Sequence, residues 1–224
     1  MELSSVERET LKAIYRLAGI DAMVKAGPLA EALDISPASV TARLRRLDER
    51  GLAVHARYHG VSLTQTGREL AISAIRRHRI VERFLADSLG FDWEEADGLA
   101  VTFEHDLPVD VVRRMFAMLG SPTTCPHGFP IPDAGADELP RLPRLTDLTV
   151  GEVADVAVSR DVDPEAAAFL EDLGVRPGVR VEVIEKHPFD GPVVIAIDGA
   201  PRTIGNNLAR EIYMLAATGT EVTT

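Results

Sequence analysis

Residues 30–64 read AEALDISPASVTARLRRLDERGLAVHARYHGVSLT. Within that stretch, Gly27 to Leu33 predicts a short helix. Asp34-Ile35-Ser36-Pro37 predicts a turn in which Ser36 caps a further helix and Pro37 takes its first position. The next helix spans Pro37 to Arg50, buries Val40, Leu44 and Leu47 at spacings of four and three, and stops at Gly51. Its other faces carry Ser36, Pro37, Ala38, Ser39 and Thr41 near the start, then Arg43, Arg45 and Arg46. A short helix, a tight turn and a helix that begins with small hydroxyl residues followed by arginines is the helix-turn-helix arrangement, whose second helix enters the DNA major groove. Leu52 to Thr64 follows as two extended runs turning near His59-Gly60, a hairpin wing with Arg57 and Tyr58 at its tip, placed to touch the DNA backbone. Ahead of this reader, Val6 to Leu17 sets Leu11, Ile14, Tyr15 and Leu17 on a helix that Ser4 or Ser5 caps.

The charge distribution agrees with a reader at one end of the chain. The 224 residues carry a net charge of -11, yet residues 1–76 hold 11 Lys+Arg against 9 Asp+Glu, and the remainder is strongly acidic. The local basic excess suits phosphate neutralisation, and the acidic body repels DNA or concentrates cations. With 46% apolar and 26% charged residues the chain is globular, and its length implies two or three units. No run approaches the roughly 18 apolar residues of a membrane span, and the N-terminus lacks a signal-peptide pattern. A single cysteine, Cys125, makes no internal disulfide, so a cytoplasmic location without membrane attachment is expected.

Six potential metal ligands, Glu9, His78, Glu82, Asp97, Glu104 and His105, fall in three short runs on either side of the reader. A long helix from Gln65 to about Leu89 carries His78 and Glu82 at i and i+4, on one face. On the following helix Asp97, Val101, Glu104 and His105 lie at i, i+4, i+7 and i+8, again one face at about 100° per residue. Isolated His/Glu pairs at this spacing are commonly surface pairs; two such sets about 20 residues apart favour a divalent cation shared between helices. Imidazole and carboxylate donors without thiolate suit Mn(II), Fe(II), Co(II) or Zn(II). Next, Pro108 to Leu119 offers Val111, Val112, Met115, Phe116, Met118 and Leu119, more apolar surface than one subunit covers, which predicts a homodimer and hence an inverted-repeat operator in double-stranded DNA.

Residues 121–144 hold six of the 14 prolines and no helical period, a linker. From Leu145 the pattern changes to a short helix near Pro164 to Leu173 and about five short strands that build a small barrel. The expected fold is therefore mainly α with small β content. The expected domains are a winged helix-turn-helix over 1–76, a helical metal-binding and dimerisation domain over 77–120, the linker over 121–144 and a β-barrel over 145–217.

These residues carry a resemblance. Ala30 to Thr41, Tyr58 to Thr64 with Gly67, Arg77 to Glu82, Glu104-His105 and Cys125-Pro126-His127-Gly128-Phe129-Pro130-Ile131-Pro132 resemble the diphtheria-toxin-repressor family of iron- and manganese-dependent regulators. The C-terminal segment, notably Leu173 to Gly178 and Ile204 to Ala209, is similar to the SH3-like domain of iron-transport accessory proteins of the FeoA type. The resemblance implies that metal binding draws the first helix toward the dimerisation helices and fits the dimer to its operator. It places His78 and Glu82 at an ancillary site with Asp97 beside them, and Glu104 and His105 at the regulatory site. Glu9 falls where iron members have methionine and manganese members aspartate. Asp163 and Glu165 occupy a stretch from which the SH3-like domain of some relatives donates ligands; simple solvation is the alternative.

Two departures stand out. Val101 replaces a usual cysteine or carboxylate ligand, and Lys12 stands where a manganese member offers a second carboxylate. Hard oxygen and nitrogen donors imply Mn(2+) first and Fe(2+) second. Moving a reader from 1:99 to 99:1 needs about 5.5 kcal/mol of differential affinity, so two ions per subunit are expected. The leading expectation is a metal-dependent repressor. The alternatives are a winged-helix regulator with a degenerate metal site and a metallohydrolase, for which no acid, base or nucleophile motif is found.

Overall fold

The computed structural model describes residues 3–18, 23–56, 59–136, 138–158 and 162–216, and the chain divides into two compact units. The first comprises Met1–Phe84, Leu99–Thr123 and Ile131–Pro140; the second comprises Leu85–Gly98, Thr124–Pro130 and Arg141–Thr224.

In the first unit, α1 (Ser5–Ala18) starts with a reciprocal cap. Glu7 N donates to Ser4 Oγ at 3.3 Å and Ser4 N donates to Glu7 Oε2 at 2.8 Å, so Ser4 is the capping serine. The helix-turn-helix follows as expected, with α2 (Ala26–Ala32) and α3 (Pro37–Glu49). Ser36 Oγ accepts from Ser39 N, and Pro37 occupies the first turn, where its missing N–H is harmless. Asp34 takes a left-handed φ of 49° in the turn between them, a conformation that short acidic side chains tolerate. Leu11, Ile14, Leu29, Val40, Leu44, Leu47 and Leu52 close one core with Val61, Ile72 and Ile75. Leu17 does not join it and is 43% exposed. At about 100° per residue, six positions from Leu11 turn it some 120° off the buried stripe.

Strands β1 (Ala53–Ala56) and β2 (Gly60–Leu63) pair antiparallel, Ala56 opposite Gly60, as the wing. Arg57 and Tyr58, expected at its tip, lie outside the described residues. Val24 pairs with Val61 on the far side of β2 through two backbone bonds of 2.8 and 2.9 Å. Gly60 sits there with φ +118°, and any Cβ would come within 2.5 Å of Val24 O, so both its angle and its neighbours require glycine. Helices α4 (Gln65–Leu89), α5 (Trp93–Phe103) and α6 (Val109–Met118) follow the wing in the chain. α4 begins hard against the backbone of Leu52, which leaves no room for a Cβ at Gly67.

The second unit holds a five-stranded antiparallel sheet of β3 (Val153–Val158), β4 (Arg180–Lys186), β5 (Val193–Ile197), β6 (Ala200–Ile204) and β7 (Ile212–Ala216), in the order β6-β5-β4-β3-β7. Helix α7 (Pro164–Asp172), a single turn α8 (Asn206–Ala209) and a 3-10 turn at Leu145–Asp147 accompany it. Val156, Leu170, Val181, Val183, Ile195, Ile204, Ile212 and Met214 form its core. The expected barrel is not closed. Among the described residues β6 and β7 are the two edges of the sheet, and β6 carries Pro201, a residue that lacks the N–H for a full second ladder. The register shifts in β4 between Val183 and Glu185, the kind of irregularity that bends a strand.

The proline-rich stretch 121–144 has no helix, as its composition requires, but it is well anchored. In the second unit Cys125 and His127 are buried, Cys125 N donates to Phe129 O, and His127 packs edge-on against Trp93 with ring centres 4.8 Å apart. In the first unit Leu139 N donates to the Tyr15 hydroxyl at 2.9 Å. No helix among the described residues is long and apolar enough to cross a membrane.

Candidate metal centre and nucleic-acid interface

Within the first unit, α1, α4 and the end of α5 bring their charged side chains to one buried place. Helix α5 ends at Phe103, so Glu104 and His105 stand in the turn after it, and Glu104 N still bonds to Ala100 O at 2.9 Å. Arg77 on α4 holds that turn by donating to the carbonyls of Glu104 (2.9 Å) and Leu107 (2.5 Å), and Arg8 on α1 donates to His105 O at 3.3 Å. The side chains then form a line. His78 Nδ1 lies 2.8 Å from Glu104 Oε2, and since an ionised carboxylate only accepts, the imidazole donates there. His78 Nε2 faces Glu82 Oε2 at 3.8 Å. The other Glu104 oxygen accepts from Lys12 Nζ at 2.7 Å, and the same ammonium stands 2.6 Å from Glu9 Oε1. Glu9 Oε1 in turn is 4.0 Å from His105 Nε2.

Two polar atoms in this line are buried without a hydrogen-bond partner, Glu9 Oε1 and His105 Nδ1. For Glu9 Oε1 the Lys12 ammonium supplies charge contact without an aligned hydrogen bond. One ligand atom from each of Glu9, Glu104 and His105 lies within 4.8 Å of the others. Two carboxylates and an imidazole converging in this way, with His105 Nδ1 lacking a hydrogen-bond partner, are the donor chemistry of a borderline-hard divalent cation, so these residues fit such an ion. Lys12, which the resemblance sets at a ligand position of manganese members, lies in their midst. Its Glu9–Lys12 spacing of i, i+3 is an ordinary surface pair in a string; only folding shows that the side chain is 1% exposed.

Burial works to raise the Glu104 carboxyl, but the hydrogen bond and charge of His78, with Lys12 beside them, overcome it and hold the group at about 2 instead of 4.5. An unfolded chain takes up this proton near 4.5 and the folded one only near 2, so the unfolded state binds more protons between those values. The contribution is complete above pH 4.5 and falls as pH drops toward 2, by about 3 kcal/mol at most. Chemical denaturation from pH 6 to pH 2.5 should therefore show a steep loss of stability, and Glu104→Gln, in which this group no longer titrates, should flatten it.

The reading face is formed by the start of α3. Ser36, Pro37, Ala38, Ser39 and Thr41 are exposed on the first turns of α3, Arg43 is half-buried, and Arg46 is exposed. Thr41 Oγ1 donates back to Pro37 O at 3.0 Å. A contact absent from the sequence reading ties this helix to α1: Arg46 Nε and an Arg50 guanidinium nitrogen reach the buried Glu7 carboxylate at 3.2 and 2.6 Å. Burial alone pushes the Glu7 carboxyl up, yet the Arg50 hydrogen bond and the Ser4 cap bring it down to about 2. Glu7 and Glu9 thus join α1 to the reading helix on one side and to the metal-type donors on the other.

The remaining expected ligands are placed as follows. Asp97 is half-buried on the part of α5 that belongs to the second unit. Asp163 is exposed and caps α7, its Oδ1 accepting from Glu165 N (2.9 Å) and Ala166 N (3.3 Å), while Glu165 is exposed in the first turn. On α6 only Val112 is buried among the described residues; Val109 and Met118 are 73% and 76% exposed.

Family models match the chain almost end to end. Residues 2–61 match the iron dependent repressor N-terminal DNA binding domain, 64–133 the iron dependent repressor metal binding and dimerisation domain, and 144–214 the FeoA domain. The iron-dependent repressor IdeR of Mycobacterium tuberculosis is 36% identical over 212 residues, covering 88% of this chain and 91% of the relative. The chain belongs to the iron-dependent repressor family. Another member, the diphtheria toxin repressor of Corynebacterium efficiens, is 31% identical over 214 residues, 90% of this chain and 91% of its own. A solved manganese-dependent transcriptional repressor in complex with manganese superposes with a TM-score of 0.80 at 31% identity, over 94% of this chain and all of that one. The manganese regulator SloR superposes at 0.79 with 26% identity, over 96% of this chain and all of its own. As a member of a family of transcriptional repressors, the chain is a regulator and not an enzyme, which removes the metallohydrolase alternative.

Proposed function

We propose that this iron-dependent-repressor family member is a divalent-cation-responsive repressor that binds an inverted-repeat operator as a homodimer, with Glu9, Glu104 and His105 as the regulatory ligands. The observation that carries this reading is the convergence of Glu9 on the reader's first helix with Glu104 and His105 in the turn after α5, one ligand atom from each lying within 4.8 Å of the others. When bound, a divalent cation supplies the positive centre that lets these three side chains be shared tightly between the two elements.

The chain's own residues transmit that position. Glu104 fixes His78 by accepting its Nδ1 proton, which turns the Nε2 lone pair toward Glu82, the arrangement a ligating histidine needs. The sequence offers His78, Glu82 and Asp97 for a second ion, and Asp163 and Glu165 as further candidate donors. Glu7 carries any shift of α1 to α3 through Arg50 and Arg46. Ser36, Pro37, Ala38, Ser39, Thr41, Arg43 and Arg46 then meet the major groove, with Arg57 and Tyr58 on the wing. Oxygen and nitrogen donors favour Mn(II), with Fe(II) second, in a cytoplasmic regulator of metal homeostasis. The reader is assigned 1–76, the metal and dimer region 77–120, the connecting stretch 121–144, and an SH3-like barrel in outline 145–217.

Operator binding titrated against Mn(II), Fe(II), Co(II) and Zn(II), with bound metal counted, tests this. Binding should require metal and vanish after chelation; equal binding after exhaustive EDTA treatment would overturn it. Arg43→Ala should weaken operator binding at every metal level by about 10- to 100-fold if it reads a base, and should lower the salt dependence by about one unit if it contacts phosphate. Arg43 is the cleaner probe, since Arg46→Ala also removes a Glu7 contact.

A further inference from the structure

Lys12 brings to the carboxylates of the regulatory ligands a charge opposite to what a metal site would use. Its ammonium is 2.6 Å from Glu9 Oε1 and 2.7 Å from Glu104 Oε1, and the side chain is 1% exposed. A buried ammonium is tolerated only when fully paired, and here both partners are members of the proposed ligand set. The same two carboxylates therefore serve either a lysine or a divalent ion. A unit positive charge this close to both oxygens repels a dication strongly in a medium of low effective dielectric, so the two cations exclude one another.

We infer that Lys12 is an internal competitor for the metal: its ammonium holds the place of the cation between Glu9 and Glu104 and so sets the metal concentration at which this regulator responds. The inference rests on the proposed ligand set and adds to it a residue that determines threshold. In the metal-free protein Lys12 neutralises the buried Glu104 carboxylate and the half-buried Glu9 carboxylate, and keeps α1 beside the end of α5. Metal entry requires the Lys12 side chain to leave, and that displacement is subtracted from the metal affinity. The four-carbon stem gives the ammonium the freedom to swing away without moving α1. A lysine that only stabilised the fold would not alter metal affinity in this direction.

The test uses the full chain and Mn(II) alone, by isothermal calorimetry and by thermal melting, on the unaltered protein, Lys12→Met and Lys12→Arg. Lys12→Met keeps the bulk and removes the charge; it should bind Mn(II) at least tenfold more tightly. Its melting temperature should be lower than that of the unaltered protein without metal and rise more on Mn(II) addition. Lys12→Arg, which keeps the charge, should show neither gain. If Lys12→Met is unfolded without metal, Mn(II) should restore the fold, and failure to do so counts against the inference. Equal Mn(II) affinity in the unaltered and Met proteins, or an equal gain in the Arg protein, overturns it while leaving the ligand set standing. Absence of Mn(II) binding in every protein overturns the ligand set as well.

Discussion

Glu104→Ala is expected to lower stability by about 3–5 kcal/mol and to abolish metal-dependent operator binding. The size follows from what the carboxylate does: one oxygen receives the buried Lys12 ammonium and the other the His78 imidazole, so its removal leaves the buried ammonium with Glu9 alone and takes the acceptor from His78 Nδ1. The loss of stability alone would not identify a ligand, which is why His105→Ala is the companion. His105 Nδ1 has no hydrogen-bond partner, so truncating the ring should cost only about 1 kcal/mol of stability. Yet it should remove the metal response as completely as Glu104→Ala. Chemical denaturation and operator anisotropy, with and without Mn(II), separate the two effects. A retained metal response in both variants would end the assignment.

The double substitution Val109→Asp with Met118→Asp is expected to yield a folded monomer whose affinity for a two-half-site operator is lower by about 100-fold or more. Both side chains are largely exposed on α6, so charging them costs the single chain little. In a dimer the same positions are desolvated, and a buried carboxylate without a partner is prohibitive. Once subunits separate, the second reader no longer binds at the effective concentration set by the first, and the gain from two linked half-sites disappears. Sedimentation should show the monomer, while affinity for a single half-site stays unchanged. An intact dimer in sedimentation would move the interface to another face.

Elements set by local rules were legible in the string. The Ser36 cap, Pro37 at the helix start, the stop at Gly51 and the apolar spacing of Val40, Leu44 and Leu47 gave α3 nearly to the residue, because each acts within one or two turns of backbone. The same holds for α4. Misjudged positions were those where local pattern is ambiguous. Leu17 is apolar but points away from the stripe, and Glu104 lies just past the end of a helix whose period continues through it. The closure expected for the barrel depends on how far a sheet curls, which strand periodicity does not encode.

By itself the sequence determined the winged helix-turn-helix, the basic bias of its first third, the absence of thiolate from the ligand runs and the identity of Glu9, His78, Glu82, Glu104 and His105 as candidate donors. These are properties of residue type and short spacing. Only the tertiary structure decided which donors share a place, that Glu7 clamps α1 to α3 through Arg46 and Arg50, and that Lys12 lies between Glu9 and Glu104. The reason is physical. Lys12 and Glu104 are 92 positions apart, and burial and charge neutralisation at that separation arise from the packing of α1 against the turn after α5, a relation no local window of residues contains.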